Sequence, residues 1–375
     1  MKRQRKKKSY RGVLFSFITI GLGSVLGLAL FSVVLEIVVT MTHSDKNTIY
    51  EIVPGINSRY VFRVKPNTTP TISNIVMKFN NFSMRRSTDI TEAGQPGVYR
   101  ILSYGDSIGL GVLVEEKDHY TTILERLLNA NPKGKKYEVL NTARGNSPSI
   151  YSAHLSRDFQ KHKPNMVLLE IELANDVADE ALVIADVPDE NGLLTKISGH
   201  RYAVSYFDDQ YMVTLPLTGL FFEPTKAYND LIRKVGNYLS HKYPNPVFSD
   251  SSNYYYYNLG FDQFYLTQKR LDTAFEKTFS VIKSIQSFAE KHGASFLLLI
   301  VPPRYTFTPN QYQSGSKELV ARAISKATSL NIPYVDVTPS FVEANGFSLY
   351  FDFCHPTPQG YEIIANDLFQ KLKSN

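Results

Sequence analysis

Gly105-Asp106-Ser107-Ile108-Gly109-Leu110-Gly111 is the stretch on which the fold turns. It follows Val98-Tyr99-Arg100-Ile101-Leu102-Ser103-Tyr104, an apolar-rich run of buried-strand length. It precedes Tyr120, Ile123, Leu124, Leu127 and Leu128, which are spaced as one face of a helix. Glycines on both sides of Ser107 let the backbone turn where a side chain would clash. A serine on such a strand-to-helix turn is exposed at the carboxyl end of a sheet. Its own N–H then lies near a helix amino terminus, where developing negative charge is favoured. The spacing predicts a mounted nucleophile at Ser107, with a plain βα turn as the bland alternative.

Further along the chain, strand and helix patterns alternate. Tyr137–Asn141, Met166–Ile171, Phe296–Val301 and Pro333–Val337 read as four more strands. Phe275, Phe279, Ile282, Ile285 and Ala289 share one helical face, and Ile364, Leu368 and Leu372 mark a closing helix. Such alternation predicts an α/β fold, a parallel five-stranded sheet sandwiched by helices. One segment interrupts it. Residues 177–263 are far longer than a loop and carry a helical pattern at Leu231, Ile232, Val235, Tyr238 and Leu239, so an inserted subdomain is expected there.

The formal charge of +6 is local. Lys2, Arg3, Arg5, Lys6, Lys7, Lys8 and Arg11 supply it with no acid among them, and the remainder is close to neutral. No basic face for nucleic acid is expected. Val13–Leu35 follows without a charge, long enough as a helix to cross a hydrocarbon core of about 30 Å. No small-x-small cleavage site follows it, which favours an uncleaved signal anchor over a signal peptide. The reading divides the chain into a basic cytoplasmic tail at 1–12 and a transmembrane anchor at 13–40. A tether with an N-terminal extension at 41–97 and a main domain from 98 to 375 complete it. The positive flank keeps the amino side in the cytoplasm and sends the rest across the membrane. Gly23-x-x-x-Gly27 could let two such helices pack closely as a homodimer through the membrane, although glycine is common in membrane helices anyway. Asn67-Thr68-Thr69 and Asn81-Phe82-Ser83 match glycosylation acceptors, which matter only in a eukaryotic secretory pathway. The single cysteine, Cys354, excludes a disulfide framework, and the scattered histidines give no metal-ligand spacing. Neither a metal nor another cofactor is expected.

Open α/β sheets bind ligands at the carboxyl ends of their strands. The loops there carry Gly105-Asp106-Ser107, then Ala143-Arg144-Gly145-Asn146, then Leu173-Ala174-Asn175-Asp176, then Pro302-Pro303-Arg304, and finally Asp352-Phe353-Cys354-His355-Pro356. Ser, Gly, Asn and His in that order, with Asp three residues before His, resembles the SGNH (GDSL-like) hydrolase family. The resemblance covers about residue 98 to the end without the insertion, and implies a flavodoxin-like sheet and ester cleavage. It implies Ser107 as nucleophile, His355 as general base and Asp352 as the residue that orients the imidazole. It also implies an oxyanion hole from the N–H groups of Ser107 and Gly145 and the side-chain amide of Asn175. The family usually has glycine two residues before that asparagine, whereas this chain has Leu173, so a displaced Asn175 is one expectation.

Two other classes compete. Gly105-Asp106-Ser107-Ile108-Gly109 also satisfies the G-x-S-x-G elbow of α/β-hydrolases, but the elbow there follows several strands. Gly105-x-x-x-Gly109-x-Gly111 with Tyr265-x-x-x-Lys269 looks like a short-chain dehydrogenase, which leaves Asp352 and His355 unexplained. A non-catalytic glycan-binding protein on the same fold is the third alternative. The favoured expectation is an anchored extracytoplasmic esterase or acyltransferase acting on acyl, most simply acetyl, esters of an envelope glycan. Arg144 and Arg304 are its candidate substrate-binding cations, and Tyr254–Tyr257, Phe261 and Phe264 its candidate stacking rings.

Overall fold

Alternation of apolar residues along Met166–Glu172 and Ser295–Val301 sends neighbouring side chains to opposite faces, and both faces are covered. The computed structural model describes residues 50–52, 62–131, 134–144, 147–185, 188–190, 192–194, 197–200, 268–307, 314–352 and 354–374, with Thr19, Gly21, Gly23 and Gly27 before them. The chain divides into two compact units, Met1–Thr48 with Tyr202–Tyr243, and Ile49–Arg201 with Pro244–Asn375. Of the first, only those four residues are described, and they are helical.

The sheet of the second unit has five parallel strands: β1 (Val98–Tyr104), β2 (Lys136–Asn141), β3 (Met166–Glu172), β4 (Ser295–Val301) and β5 (Tyr334–Asp336). Their order across the sheet is β5-β4-β3-β1-β2. That is the flavodoxin-like order, and it differs from the order of dinucleotide-binding sheets, which weakens the dehydrogenase reading. The boundaries of β1 match the sequence reading, and those of the others differ by one residue at the start of β2, the end of β3, the start of β4 and each end of β5.

Eight helices of the described residues flank the sheet. They are α1 (Ser107–Leu110), α2 (Tyr120–Leu128), α3 (Pro148–His162), α4 (Leu173–Leu182), α5 (Gln268–Lys291), α6 (Ser314–Ser329), α7 (Thr338–Glu343) and α8 (Pro358–Lys373). On one face, Val167, Leu169, Ile171, Phe296, Leu298 and Ile300 bury against Tyr151 and Leu155 of α3 and Phe275, Phe279 and Ile282 of α5. On the other, Met166, Leu168, Leu297 and Leu299 bury against Tyr120, Ile123 and Leu124 of α2 and Tyr361, Ile364 and Leu368 of α8. Each such side chain contributes about 1.5–3 kcal/mol when fully buried. Two-sided burial of this kind is why the strands read as near-continuous apolar runs.

The segment before β1 packs beside the nucleophile turn. Val64, Ile72, Met77 and Phe79 form a small core with Leu110, Val112 and Ala143. Arg85, 4 % exposed, reaches from it to the carbonyls of Leu110 and Gly111, each at 2.5 Å, and to that of Val114.

Among the described residues no helix is long and apolar enough to cross a membrane. The expected span at 13–40 lies outside them apart from the four helical residues. Most of the expected insertion at 177–263 also lies outside, including the helical pattern around Leu231 and the rings of Tyr254–Tyr257, Phe261 and Phe264. Its described part is the end of α4, residues 188–190 and 192–194, of which Leu193 and Leu194 join the core, and the strands Val183–Ala185 and Ile197–His200, which pair antiparallel.

Candidate active site

Ser107 opens α1, a helix of one turn, immediately after β1. A helix this short leaves most of its carbonyls without an internal partner, so its position depends on outside donors. Tyr361 Oη donates to the Ile108 carbonyl at 2.9 Å, and His119 Nε2 lies 3.1 Å from the same oxygen. Asn141 Nδ2 donates to the Gly109 carbonyl at 2.8 Å. With the Arg85 contacts, side chains from four separate segments fix the turn. His119 is held neutral for this work: burial, then the Arg85 charge, lowers its pKa to about 3.

The glycines around the serine serve two different needs. Gly111 closes α1 at φ 77, the left-handed region that disfavours a side chain. Gly105 is instead required by a close approach, since an added Cβ would stand 2.2 Å from Glu170 Oε2.

His355 arrives from the loop after β5 and α7. Its Nε2 is 2.9 Å from Ser107 Oγ, and its Nδ1 is 2.7 Å from Asp352 Oδ2. The other oxygen of Asp352 accepts the backbone N–H of Cys354 at 3.0 Å and of His355 at 2.8 Å. The turn therefore aims its own carboxylate. Burial alone would raise the Asp352 pKa, but the hydrogen bond and charge of His355 and these two amides outweigh it and hold Asp352 below its ordinary value. Backbone bonds from Phe351 N–H to the His355 carbonyl at 2.9 Å and from Thr357 N–H to the Leu349 carbonyl at 2.7 Å clamp the loop.

Asn175 lies in the first turn of α4, after β3. Its Nδ2 donates to Asp106 Oδ2 at 2.6 Å, and Asp106 Oδ1 accepts the Ile108 N–H at 2.7 Å. The first contact ties Asn175 to the nucleophile turn and sets which end of its amide faces it. A second N–H on Nδ2 remains for another acceptor. Leu173 does not demand a glycine conformation here. It is helical, fully buried and absent from the left-handed residues, so the expected displacement does not follow. Gly145 lies outside the described residues.

The two arginines find protein partners. Arg144 is 8 % exposed, with Nη1 2.7 Å from His154 Nδ1 and Nη2 3.5 Å from Asp158 Oδ2. Here α3 offers it a fixed carboxylate in a dry site, which a guanidinium prefers. Arg304 stays at the rim. Its Nε donates to the Phe347 carbonyl at 3.1 Å, its Nη1 to the Asp352 carbonyl at 3.2 Å, and its guanidinium lies 3.8 Å from the Phe347 ring centroid. It braces the loop that carries the carboxylate.

No family model matches the chain, and no curated protein matches it. Solved structures similar to it include an acetylxylan esterase from Geobacillus stearothermophilus, at 13 % identity and a TM-score of 0.41 over 73 % of this chain and 94 % of that one. An alpha/beta hydrolase enzyme from the metagenome of Lake Arreo, Spain, gives 13 % and 0.41 over 72 % and 94 %. Likeness at this level carries no functional weight.

Residues without an assigned part in the sequence reading complete the site. Asp106, Glu170, Glu172 and Asp176 are all buried within it. Asp176 accepts from Tyr151 Oη at 2.7 Å and from the Glu172 N–H at 2.8 Å. Burial, then Asp106 and Glu170, pushes the Asp176 pKa well up, and burial likewise raises that of Asp106. The acids at 170 and 172 interrupt an apolar strand at alternate positions, a signal that one face of β3 meets something other than core.

Among the described residues one trio, Asp352, Cys354 and His355, brings possible metal donors within 4.8 Å of one another. It fits an ion poorly. Two ligands on a tetrahedral ion bound at about 2.0 Å stand roughly 3.3 Å apart, whereas Asp352 and His355 are hydrogen-bonded at 2.7 Å. Burial also pushes the Cys354 thiol pKa well up, away from the thiolate that a metal needs.

Proposed function

We propose that the chain is a membrane-anchored serine esterase or acyltransferase of the SGNH type, acting outside the cytoplasm on short acyl esters, acetyl above all, of a cell-envelope glycan. One observation carries the catalytic part: Ser107 Oγ, His355 and Asp352 form a continuous hydrogen-bonded chain with links of 2.9 and 2.7 Å. That is the geometry by which a base activates a hydroxyl and a carboxylate fixes the base.

The steps follow from it. Ser107 Oγ attacks the acyl carbon while His355 Nε2 takes its proton. The carbonyl oxygen becomes an oxyanion, met by the Ser107 N–H, the second Nδ2 hydrogen of Asn175 and the N–H of Gly145. His355 returns the proton to the leaving alcohol, and an acyl-serine remains. Water, or a sugar hydroxyl in transfer, then attacks the acyl carbon as His355 takes its proton; the bond to Ser107 Oγ breaks, and His355 returns that proton to the serine. Asp352 stays ionised throughout and stabilises the imidazolium.

The substrate class rests on the sequence. The charged flank and the uncharged run Val13–Leu35 support an anchor, and a tether of roughly eight residues reaches at most about 30 Å from the membrane face. Esters within that reach belong to envelope polymers and lipid-linked glycans.

The test is labelling with a membrane-impermeant fluorophosphonate on spheroplasts expressing the wild type or Ser107→Ala. The expected result is one labelled band in the membrane fraction that disappears with Ser107. No labelling of purified wild type overturns the esterase; labelling only after lysis overturns the topology.

A further inference from the structure

Side chains along β3 alternate, and Met166 and Leu168 enter the layer built with α2 and α8. Glu170 takes the next place on that face. It is fully buried, and neither Oε1 nor Oε2 has a hydrogen-bond partner among the described residues. Its neighbour is backbone. The pairing of β1 with β3 ends at Tyr104 opposite Leu169, so Glu170 comes level with Gly105. A Cβ on Gly105 would stand 2.2 Å from Glu170 Oε2, and one on Gly109 would stand 3.0 Å from the same oxygen. Neither glycine has a positive φ. At Gly105 the carboxyl fills the space where a side chain would go, and at Gly109 it shares that space with Ala143 Cβ, also 3.0 Å away.

A buried carboxyl without a partner is far costlier ionised than neutral. The groups that act on Glu170, or on which it acts, are Asp106 in the turn, Glu172 on the same strand, Asp176 on α4 and Cys354 in the His355 loop. Tyr120 of α2, Tyr151 of α3 and Tyr361 of α8 complete the set. All are acids, phenols or a thiol. Burial first, then Asp106 and Glu172, holds the Glu170 pKa well above the carboxylate range; the Asp106 and Gly109 amides pull the other way without reversing it.

We propose that Glu170 is a positioning residue for Ser107, an uncharged prop that sets the backbone from Gly105 to Gly109 and thereby the aim of the Ser107 hydroxyl and N–H. The proposal rests on the esterase reading. An ionised Glu170 would place negative charge beneath the group where the oxyanion gathers, and turnover would fall.

The experiment measures kcat and KM on a soluble acetate ester across pH for wild type, Glu170→Gln and Glu170→Ala. Glutamine keeps the shape without the ionisation. It should retain kcat within about three-fold at neutral pH and remove an alkaline decline that wild type shows. Alanine removes the prop and should lower kcat by about 10- to 100-fold with KM nearly unchanged, as small misplacements of a reacting group do. Should the alanine variant fail to fold, the glutamine pH profile decides alone. A carboxylic-acid C=O band in the infrared spectrum of wild type, missing from Glu170→Gln, is the expected signature independent of turnover. Superimposable pH profiles for wild type and Glu170→Gln, or no difference in that band, overturn the role while leaving an active esterase intact. Wild type without labelling or turnover overturns the esterase reading and this role with it.

Discussion

Asp352 and Glu170 are two carboxyls of one site, brought to it from the loop before α8 and from β3. Asp352 is part-exposed and accepts three hydrogen bonds, from His355 Nδ1 and from the amides of Cys354 and His355. Glu170 is fully buried without a side-chain partner among the described residues, and only the Asp106 and Gly109 amides pull on it. The first is held below its ordinary pKa by the imidazole and the amides, against its burial; the second is pushed well above it by burial and by neighbouring acids. The same functional group is therefore kept charged where a cation forms and neutral where an anion forms. Donors in reach, more than depth alone, separate the two.

The largest expected effect tests the charged member. Asp352→Asn keeps the shape but favours the wrong imidazole tautomer, and kcat should fall by about 10⁴-fold. Steady-state kinetics on the same acetate ester checks it, and a loss below about ten-fold would break the comparison by showing that the Asp352 charge is dispensable.

Asn175 is fixed by Asp106. Asn175→Ala should lower kcat by about 10²–10³-fold with little change in KM, the pattern of a donor that acts in the transition state. A rise in KM at constant kcat would reassign Asn175 to substrate binding.

The smallest effect sharpens the contrast, through stability. Glu170 has a raised folded pKa, so the native state keeps a proton that the unfolded chain releases above about pH 4.3. Wild-type stability is lost as pH rises from there through the folded value. Glu170→Gln should therefore melt about 2–4 °C above wild type at pH 8, with the difference closing toward pH 4. Asp352 has a lowered folded pKa, so its stabilisation is present above about pH 3.9 and lost in acid. Asp352→Asn should melt below wild type at neutral pH, and that gap should close as pH falls through the folded value. Thermal melts of both variants at several pH values check the opposite slopes; parallel slopes would show that the two carboxyls share one charge state.

The strands, Ser107, and the pair Asp352 and His355 were legible in the sequence because the physics that places them is local. Alternation over seven residues marks a strand, a helical face recurs every three or four residues, and Asp352 binds the backbone of His355 three positions on. Only the tertiary structure decided the rest, because it depends on which distant side chains come level. Arg144 paired with Asp158 on α3, Leu173 entered α4 in a helical conformation, and Asn175 found Asp106 across two loops. The glycines make the distinction plainest. Gly105 and Gly111 look alike in sequence, yet Gly111 answers to its own φ of 77, whereas Gly105 answers to a carboxyl that strand register brings beside it from β3.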